Sequence, residues 1–251
     1  MAQDRQDQIA VELLKRLPMT PDVHVAKVDL MRDGALLIDF NQDAYRAASF
    51  LDERIQTPTT RGAWVRIANF VQRSAEAKDQ CPLRFIFHTG HVGSTLVSRL
   101  LDEVGTVLSL REPLPLRQLA RAHDTLATVT SWLSPAQFDD LLESFLRCWA
   151  RGYPATRAVV VKATSAAGRL APAIFAKRGD ARGIYVNLRA EPYLATLLSG
   201  ANSNADLRGH GVERMTRLQT LGAMDLTPLH VLSRGELAAM SWLTETATQH
   251  Q

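Results

Sequence analysis

The spacing of apolar residues predicts a helix and a β-hairpin near the start of the chain. Over residues 5–17 the apolar positions recur at helical spacing, which is typical of a short amphipathic helix. The alternating runs VHVAKVDL and ALLIDF follow, and Asp33-Gly34 between them favours a tight hairpin turn. Two further helical stretches are predicted near residues 43–54 and 61–77. Residues 1–80 are therefore predicted to form a hairpin-and-helix appendage that packs on the rest of the chain.

From residue 83 onward, short apolar runs alternate with longer helical patterns. Helices are predicted from Ser94, from Ser134-Pro135 and near residues 168–177, since Ser is a favoured N-cap and Pro a favoured first helical residue. Strands separated by helices imply a parallel sheet with helices on both faces. Residues 81–251 are thus predicted to be an α/β domain that ends in helical additions, with a polar break at 202–211. The predicted strands are Arg84–His88, Thr106–Leu110, Ala158–Lys162 and Gly183–Leu188.

Composition and charge exclude several classes of protein. The chain has 251 residues, 46% of them hydrophobic and 22% charged, which suits one large core with an appendage. The net charge of +3 suits an anionic ligand, but the basic residues are scattered, so no nucleic-acid partner is expected. Two cysteines cannot form a disulfide framework. With no apolar leader and no run of 18 apolar residues, we expect a cytoplasmic protein without a membrane partner.

The strongest chemical signal is the segment FIFHTGHVGSTLVSRLL. Its apolar strand runs into a glycine-containing loop, Thr89–Thr95, and then into a helix. Glycines let the backbone curl around an anion, and the first amides of the helix point at it. The sequence therefore predicts a P-loop-like site for a phosphate-type anion; the alternative is a strand–helix turn with capping hydroxyls and no ligand. An ATP-dependent kinase is disfavoured, because Ser94 stands where the nucleotide triphosphatase loop needs lysine.

Four segments in sequence order resemble the sulfotransferase family. The loop at Thr89–Thr95 is similar to that family's 5′-phosphosulfate loop, and LSLREP after the second strand is similar to its acidic segment. VVVKATS resembles the family's third-strand lysine segment. IYVNLRAEPYLATLLSG resembles the strand, arginine and helix that grip the donor's 3′-phosphate. The resemblance covers residues 83–200, about half of the chain.

The resemblance implies a donor, 3′-phosphoadenosine 5′-phosphosulfate (PAPS), and sulfuryl transfer to a hydroxyl or amine. The acceptor would be a small molecule, a glycan or a peptide, and no metal is expected. Glu112 would be the base, His91 would stabilise the leaving oxygen, and Lys162 would reach the phosphates or the sulfuryl group. Arg189 would hold the 3′-phosphate together with Thr196 or Ser199. The implied donor-binding loop is Thr89, Gly90, His91, Val92, Gly93, Ser94 and Thr95.

The chain departs from the family pattern in three places. His91 stands where the family loop has lysine or arginine, and Thr164 stands where small-molecule members carry a histidine. The basic, glycine-containing segment that usually covers the donor is absent or is replaced by Arg208–Arg217. These departures favour a rival hypothesis, a non-catalytic nucleotide-binding or regulatory protein that keeps the fold. An ATP-dependent kinase is the second rival.

Each candidate residue also has a purely structural interpretation. Glu112 could pair with Arg111 or Arg117 or could cap the helix after Pro115. Arg189 could form a surface ion pair with Glu191 or Asp180, and Lys162 could be solvated. His88 is expected to be a hydrogen-bonded core histidine. The aromatic residues at helical spacing are expected in the core: Trp64, Phe70, Trp132, Phe138, Phe145 and Trp149.

Overall fold

A computed structural model describes residues 2–78, 81–200 and 203–249. Over these residues the chain forms two β-sheets and eleven α-helices. The N-terminal part contains a three-stranded antiparallel sheet in the order β1-β2-β3. Its elements are α1 (Ala2–Arg16), β1 (Val23–Asp29), β2 (Gly34–Asp39), α2 (Gln42–Ala47), β3 (Gly62–Arg66) and α3 (Ile67–Ser74).

The predicted N-terminal helix and hairpin are confirmed, but the segment after them differs from the prediction. β1 and β2 pair as a hairpin, and Asp33 in its turn has a φ of 51°. Residues 62–66, predicted as helix, form β3 and pair with β2. The reason is a period of two that the helical prediction overlooked: Ala63 and Val65 are buried, whereas Trp64 between them is exposed. The helix predicted over 43–54 ends at Ala47, and only a 3₁₀ turn, Glu53–Ile55, follows.

The second sheet has four parallel strands, as the strand–helix alternation predicts. The strands are β4 (Leu83–His88), β5 (Val107–Arg111), β6 (Ala158–Lys162) and β7 (Arg182–Val186), in the spatial order β5-β6-β4-β7. From β4 the chain moves to one side to reach β5, whereas from β6 it crosses to the other side to reach β7. Right-handed crossovers in opposite directions lie on opposite faces, so a crevice opens between the carboxyl ends of β4 and β6.

Helices flank the parallel sheet and complete the C-terminal part. Phe85 and Phe87 of β4 pack edge-on against Phe175 on one face. The predicted polar break at 202–211 is wrong, because residues 203–209 are helical and Leu207 is buried. The helices are α4 (Ser94–Asp102), α5 (Leu114–Thr125), α6 (Pro135–Trp149), α7 (Ala171–Lys177), α8 (Ala190–Ser199), α9 (Ser203–Gly209), α10 (Gly211–Thr220) and α11 (Arg234–Thr248), and 3₁₀ helices span Ser165–Leu170 and Leu229–Val231.

One apolar core runs through both sheets, and a smaller cluster lies among α8, α9, α10 and α11. Arg111 joins the N-terminal part to the parallel sheet: it is fully buried, donates to the carbonyls of Ala48, Tyr45 and Arg46, and pairs with Asp102 at 3.2 Å. Of the aromatics predicted in the core, four are buried and two, Trp64 and Trp132, are exposed. No helix among the described residues is long and apolar enough to cross a bilayer.

Candidate functional site

A cleft of about 500 Å³ lies at the carboxyl ends of the parallel strands, within the size range of small-molecule sites. One wall is the loop Thr89–Thr95, and the floor contains Glu112 and Lys162 from the ends of β5 and β6. The remaining walls come from residues 50–54 and from α10. The structure therefore brings together all seven predicted loop residues and both predicted strand-end residues.

The loop backbone turns sharply where it lines the cleft, with three of its residues in the left-handed region. Gly90, His91 and Gly93 have φ values of 93°, 52° and 79°. Gly93 is the N-cap of α4 without a capping side chain, and a Cβ there would meet nothing within 4 Å. The first amides of α4 have no intrahelical acceptor, and the helix dipole adds partial positive charge. The start of α4 therefore presents partial positive charge at this end of the cleft.

Two threonine hydroxyls in the cleft lack hydrogen-bond partners. Thr89 is only 1% exposed, and neither its Oγ1 nor that of Thr164 contacts a donor or acceptor among the described residues. Both residues line the cleft. A buried hydroxyl without a partner is costly, so each is positioned to bond a polar ligand. The Tyr193 hydroxyl holds the start of the loop by donating a hydrogen bond to the Thr89 carbonyl at 3.3 Å.

His88, at the end of β4, is a satisfied buried histidine, as expected. Its Nε2–H donates to the Ala163 carbonyl at 2.7 Å, and its Nδ1 accepts from the Gly90 amide at 2.9 Å. These two partners assign the neutral tautomer. Burial, with the nearby Lys162 charge, lowers the pKa of His88 to about 3. His88 therefore supports the first turn of the loop and stays neutral at physiological pH.

Glu112 and Lys162 form an ion pair on the cleft floor. Lys162 Nζ contacts Glu112 Oε1, and the Glu112 amide donates to the Lys162 carbonyl at 2.7 Å. Burial lowers the pKa of Lys162, and the Glu112 charge opposes that effect. Glu112 has a φ of 53°, a strained conformation for a non-glycine residue that places the carboxylate toward Lys162. None of the structural interpretations of Glu112 holds, since its ion-pair partner is Lys162 and the start of α5 receives no capping bond from a side chain of the described residues.

Sequence reasoning missed the contribution of residues 50–54. Leu51 donates its amide to the Arg111 carbonyl at 2.7 Å and accepts from the Leu114 amide at 2.9 Å, which ties this segment to the end of β5. Phe50 then faces Lys162, whose Nζ lies 5.6 Å from the ring centroid, and Arg54 stacks on the same ring at 4.1 Å. No local motif marks this segment, because the backbone bonds that position it join residues about 60 positions apart.

The wall formed by α10 lies in the segment that the sequence analysis named as a possible donor cover. Glu213 is surrounded by His210, Arg169 and Arg217. Burial alone would raise its pKa, but the close contact with His210 and the charges of Arg169, Arg217 and Arg121 lower it to about 2. Arg214 is almost fully buried and pairs with Asp206 at 3.2 Å, while its Nε has no partner among the described residues. Arg214 is thus a buried cationic residue that lines the cleft.

Three predicted donor-binding residues do not line the cleft. Arg189 is exposed at the N-cap of α8 and has no side-chain partner among the described residues, so neither predicted ion pair forms. The hydroxyls of Thr196 and Ser199 donate to carbonyls of their own helix, at Pro192 and Thr196. Arg214 belongs to the segment Arg208–Arg217 named from the sequence, but only the packing of α10 brings this residue into the cleft lining.

Comparisons of the chain with family models, curated proteins and solved structures found no match. The cleft lining is balanced in charge rather than basic, with four Arg or Lys side chains against five Asp or Glu. Among the described residues no group of three or more His, Cys, Asp or Glu could hold a metal ion.

Proposed function

We propose that this chain is a cytoplasmic sulfotransferase-like enzyme with a P-loop-like core, transferring a sulfuryl group from PAPS to a hydroxyl or amine acceptor. One observation carries the proposal. The anion-accepting loop, with its buried and unpartnered Thr89 hydroxyl, shares one cleft with the Glu112–Lys162 pair. The loop fits a phosphosulfate, and the pair supplies a carboxylate and a cation where the reacting atoms would lie. The order of sequence segments that resemble the family supports the same function.

The proposed reaction needs a base, a cation and a set of fixed dipoles. The acceptor oxygen or nitrogen bonds to the sulfuryl sulfur, while the bond from sulfur to the bridging phosphate oxygen breaks. Glu112 takes the acceptor proton. The α4 amides, Lys162 and His91 face the leaving adenosine 3′,5′-bisphosphate and stabilise the negative charge that develops on its oxygen.

The Glu112–Lys162 ion pair explains how the same two residues can take part both in donor binding and in deprotonation of the acceptor. In the free protein Lys162 neutralises Glu112, which keeps two partly buried charges stable. When an anionic donor enters, its phosphate competes for the Lys162 ammonium. Release of Glu112 from the pair leaves its carboxylate able to accept a proton from the acceptor. Base activity is thereby linked to donor binding.

Arg214 is the better candidate for the donor's 3′-phosphate in this cleft. A guanidinium binds phosphate through several N–H donors, and the Nε of Arg214 has no partner within the part of the chain that the structure describes. The sequence-based assignment to Arg189, Thr196 and Ser199 places that phosphate outside the described cleft lining. We therefore assign the 3′-phosphate to Arg214, with His210 beside it.

A second candidate function is binding of a nucleotide without catalysis. The observation that favours it is the closed Glu112–Lys162 pair together with the balanced charge of the lining. In that case the pair stays closed when the ligand is bound, and the cleft acts as a sensor. The same loop would still hold the 5′-phosphate group.

The test is turnover of PAPS, followed by mass spectrometry of a panel of phenols, sugars, amines and peptides. The sulfotransferase proposal expects one acceptor class to gain a sulfuryl group, with equimolar release of adenosine 3′,5′-bisphosphate. Donor binding with no turnover on any acceptor would favour the sensor. A signal with ATP and magnesium, and none with PAPS, would replace both with a kinase.

A further inference from the structure

The outer edge of β7 is open. In the parallel ladder Val186 accepts from Thr89 at 3.3 Å, so Arg182, Ile184 and Val186 direct their backbone groups toward β4. By alternation, Gly183, Tyr185 and Asn187 direct theirs outward. Those outward amides and carbonyls have no partner among the described residues, and β4 is the one strand that pairs with β7. An exposed strand edge of this kind is a template for another strand.

Two further features of this edge are unusual for a surface in contact only with water. Ile184 is 53% exposed although it lies within a strand of the sheet. Asp180, just before β7, and Arg189, just after it, are both exposed, carry opposite charges and lack side-chain partners among the described residues. The charges sit at opposite ends of the strand, too far apart to pair within one chain.

We propose that two copies of this chain associate by antiparallel pairing of their β7 edges, about a two-fold axis at Tyr185. In this register Tyr185 faces its own copy, and Gly183 faces Asn187 of the partner subunit. Every outward backbone group is then paired, in about six hydrogen bonds. The two parallel sheets join into one continuous sheet.

The same register also gives partners to the exposed side chains at this edge. Ile184 lies beside Val186 of the partner subunit, which covers its exposed apolar surface. Arg189 lies opposite Ala181 of the partner subunit, one residue from the partner's Asp180. The two-fold axis forms this charge contact twice. A second copy therefore fits the edge in hydrogen bonding, apolar surface and charge at once, and self-complementarity of this type is what a two-fold interface requires.

Sedimentation velocity on the full chain, over about 1 to 300 µM, tests the proposal because the range spans weak to moderate strand-mediated affinities. The wild type is expected to shift from monomer to dimer. Ile184→Lys changes an exposed side chain, so it should fold and remain monomeric. Val11→Lys, on exposed α1, is the matched control and should dimerise like the wild type. Amide exchange at Tyr185 should slow as the dimer forms.

A charge exchange tests the register separately from the presence of a dimer. Asp180→Arg and Arg189→Asp should each weaken dimerisation by about tenfold, since each places like charges together twice. The double variant should recover most of the wild-type affinity. A wild type that stays monomeric throughout the range overturns the proposal. A dimer that tolerates Ile184→Lys, or a double variant as weak as the single ones, overturns it equally.

Discussion

Replacing His88 with Gln is expected to make the stability of the protein less sensitive to acid. His88 is neutral and buried, with one ring nitrogen donating to Ala163 and the other accepting from Gly90. Its pKa is about 3 in the folded protein against an ordinary value of 6.5. Because the folded state resists protonation, stability is fully present above pH 6.5. It is lost progressively as the pH falls from 6.5 toward 3.

The size of the effect follows from the difference between the assay pH and the pKa of histidine in the unfolded chain. A pH of 5 lies about 1.5 units below the ordinary histidine pKa of 6.5, so His88 is protonated in the unfolded chain. In the folded protein His88 remains neutral at this pH. Each unit corresponds to about 1.4 kcal/mol, so His88 should cost the folded state about 2 kcal/mol between pH 8 and pH 5. Gln can donate and accept but does not titrate, so this loss should disappear.

Urea unfolding at pH 8 and pH 5 measures the difference directly. The fall in unfolding free energy between the two pH values should be about 2 kcal/mol smaller in His88→Gln than in the wild type. Both proteins also contain His24, whose pKa is lowered to about 3 by burial. Because His24 contributes equally to the change in unfolding free energy in both proteins, its contribution cancels when the two changes are compared. His230→Gln, at an exposed position, is the control and should keep the wild-type difference. An identical difference in His88→Gln would refute the assignment of a neutral, buried imidazole.

Three further predictions concern the cleft. Glu112→Gln should reduce sulfuryl transfer by at least about 100-fold, because it removes the base, while calorimetry shows retained binding of adenosine 3′,5′-bisphosphate; equal turnover would remove Glu112 from the mechanism. Arg214→Gln should weaken bisphosphate binding about tenfold, whereas Arg189→Gln should not; the reverse order would return the 3′-phosphate to Arg189. Glu213→Gln should destabilise the protein at pH 7 by on the order of 3 kcal/mol in thermal or urea unfolding. Since the pKa of Glu213 is about 2, below its ordinary 4.5, that difference should persist above pH 4.5 and shrink as the pH falls toward 2; a constant difference would contradict it.

The parallel sheet and the loop could be predicted because their signals are local. Each strand of that sheet is a short apolar run bounded by a helical segment, so its existence needs no knowledge of packing. The loop combines a strand, glycines at 90 and 93 and a helix start within a dozen residues. Glu112 and Lys162 were implied by the resemblance of LSLREP and VVVKATS to family segments, and the position of Glu112 at the carboxyl end of a strand agrees with where ligands bind in open α/β sheets. Their contact with each other was not foreseen.

The errors arose where long-range contacts decide the structure. β3 was predicted as helix, since its five residues gain their strand character from pairing with β2. The segment 50–54 has no motif, and it reaches the cleft through backbone bonds to Arg111 and Leu114. Arg214 enters the site only because Leu218, one turn on in α10, packs in the small C-terminal cluster. None of these placements depends on neighbouring residues alone.

Calorimetric titration with adenosine 3′,5′-bisphosphate, beside ATP with magnesium, tests the central claim most directly. Thr89→Val is the informative variant, because the Thr89 hydroxyl has no hydrogen-bond partner to lose among residues 2–78, 81–200 and 203–249. Thr196→Val, outside the cleft lining, is its control. We predict micromolar binding of the bisphosphate, weakened in Thr89→Val, unchanged in Thr196→Val and stronger than that of ATP with magnesium. No binding of the bisphosphate, or binding that Thr89→Val leaves unchanged, would contradict the donor site at Thr89–Thr95.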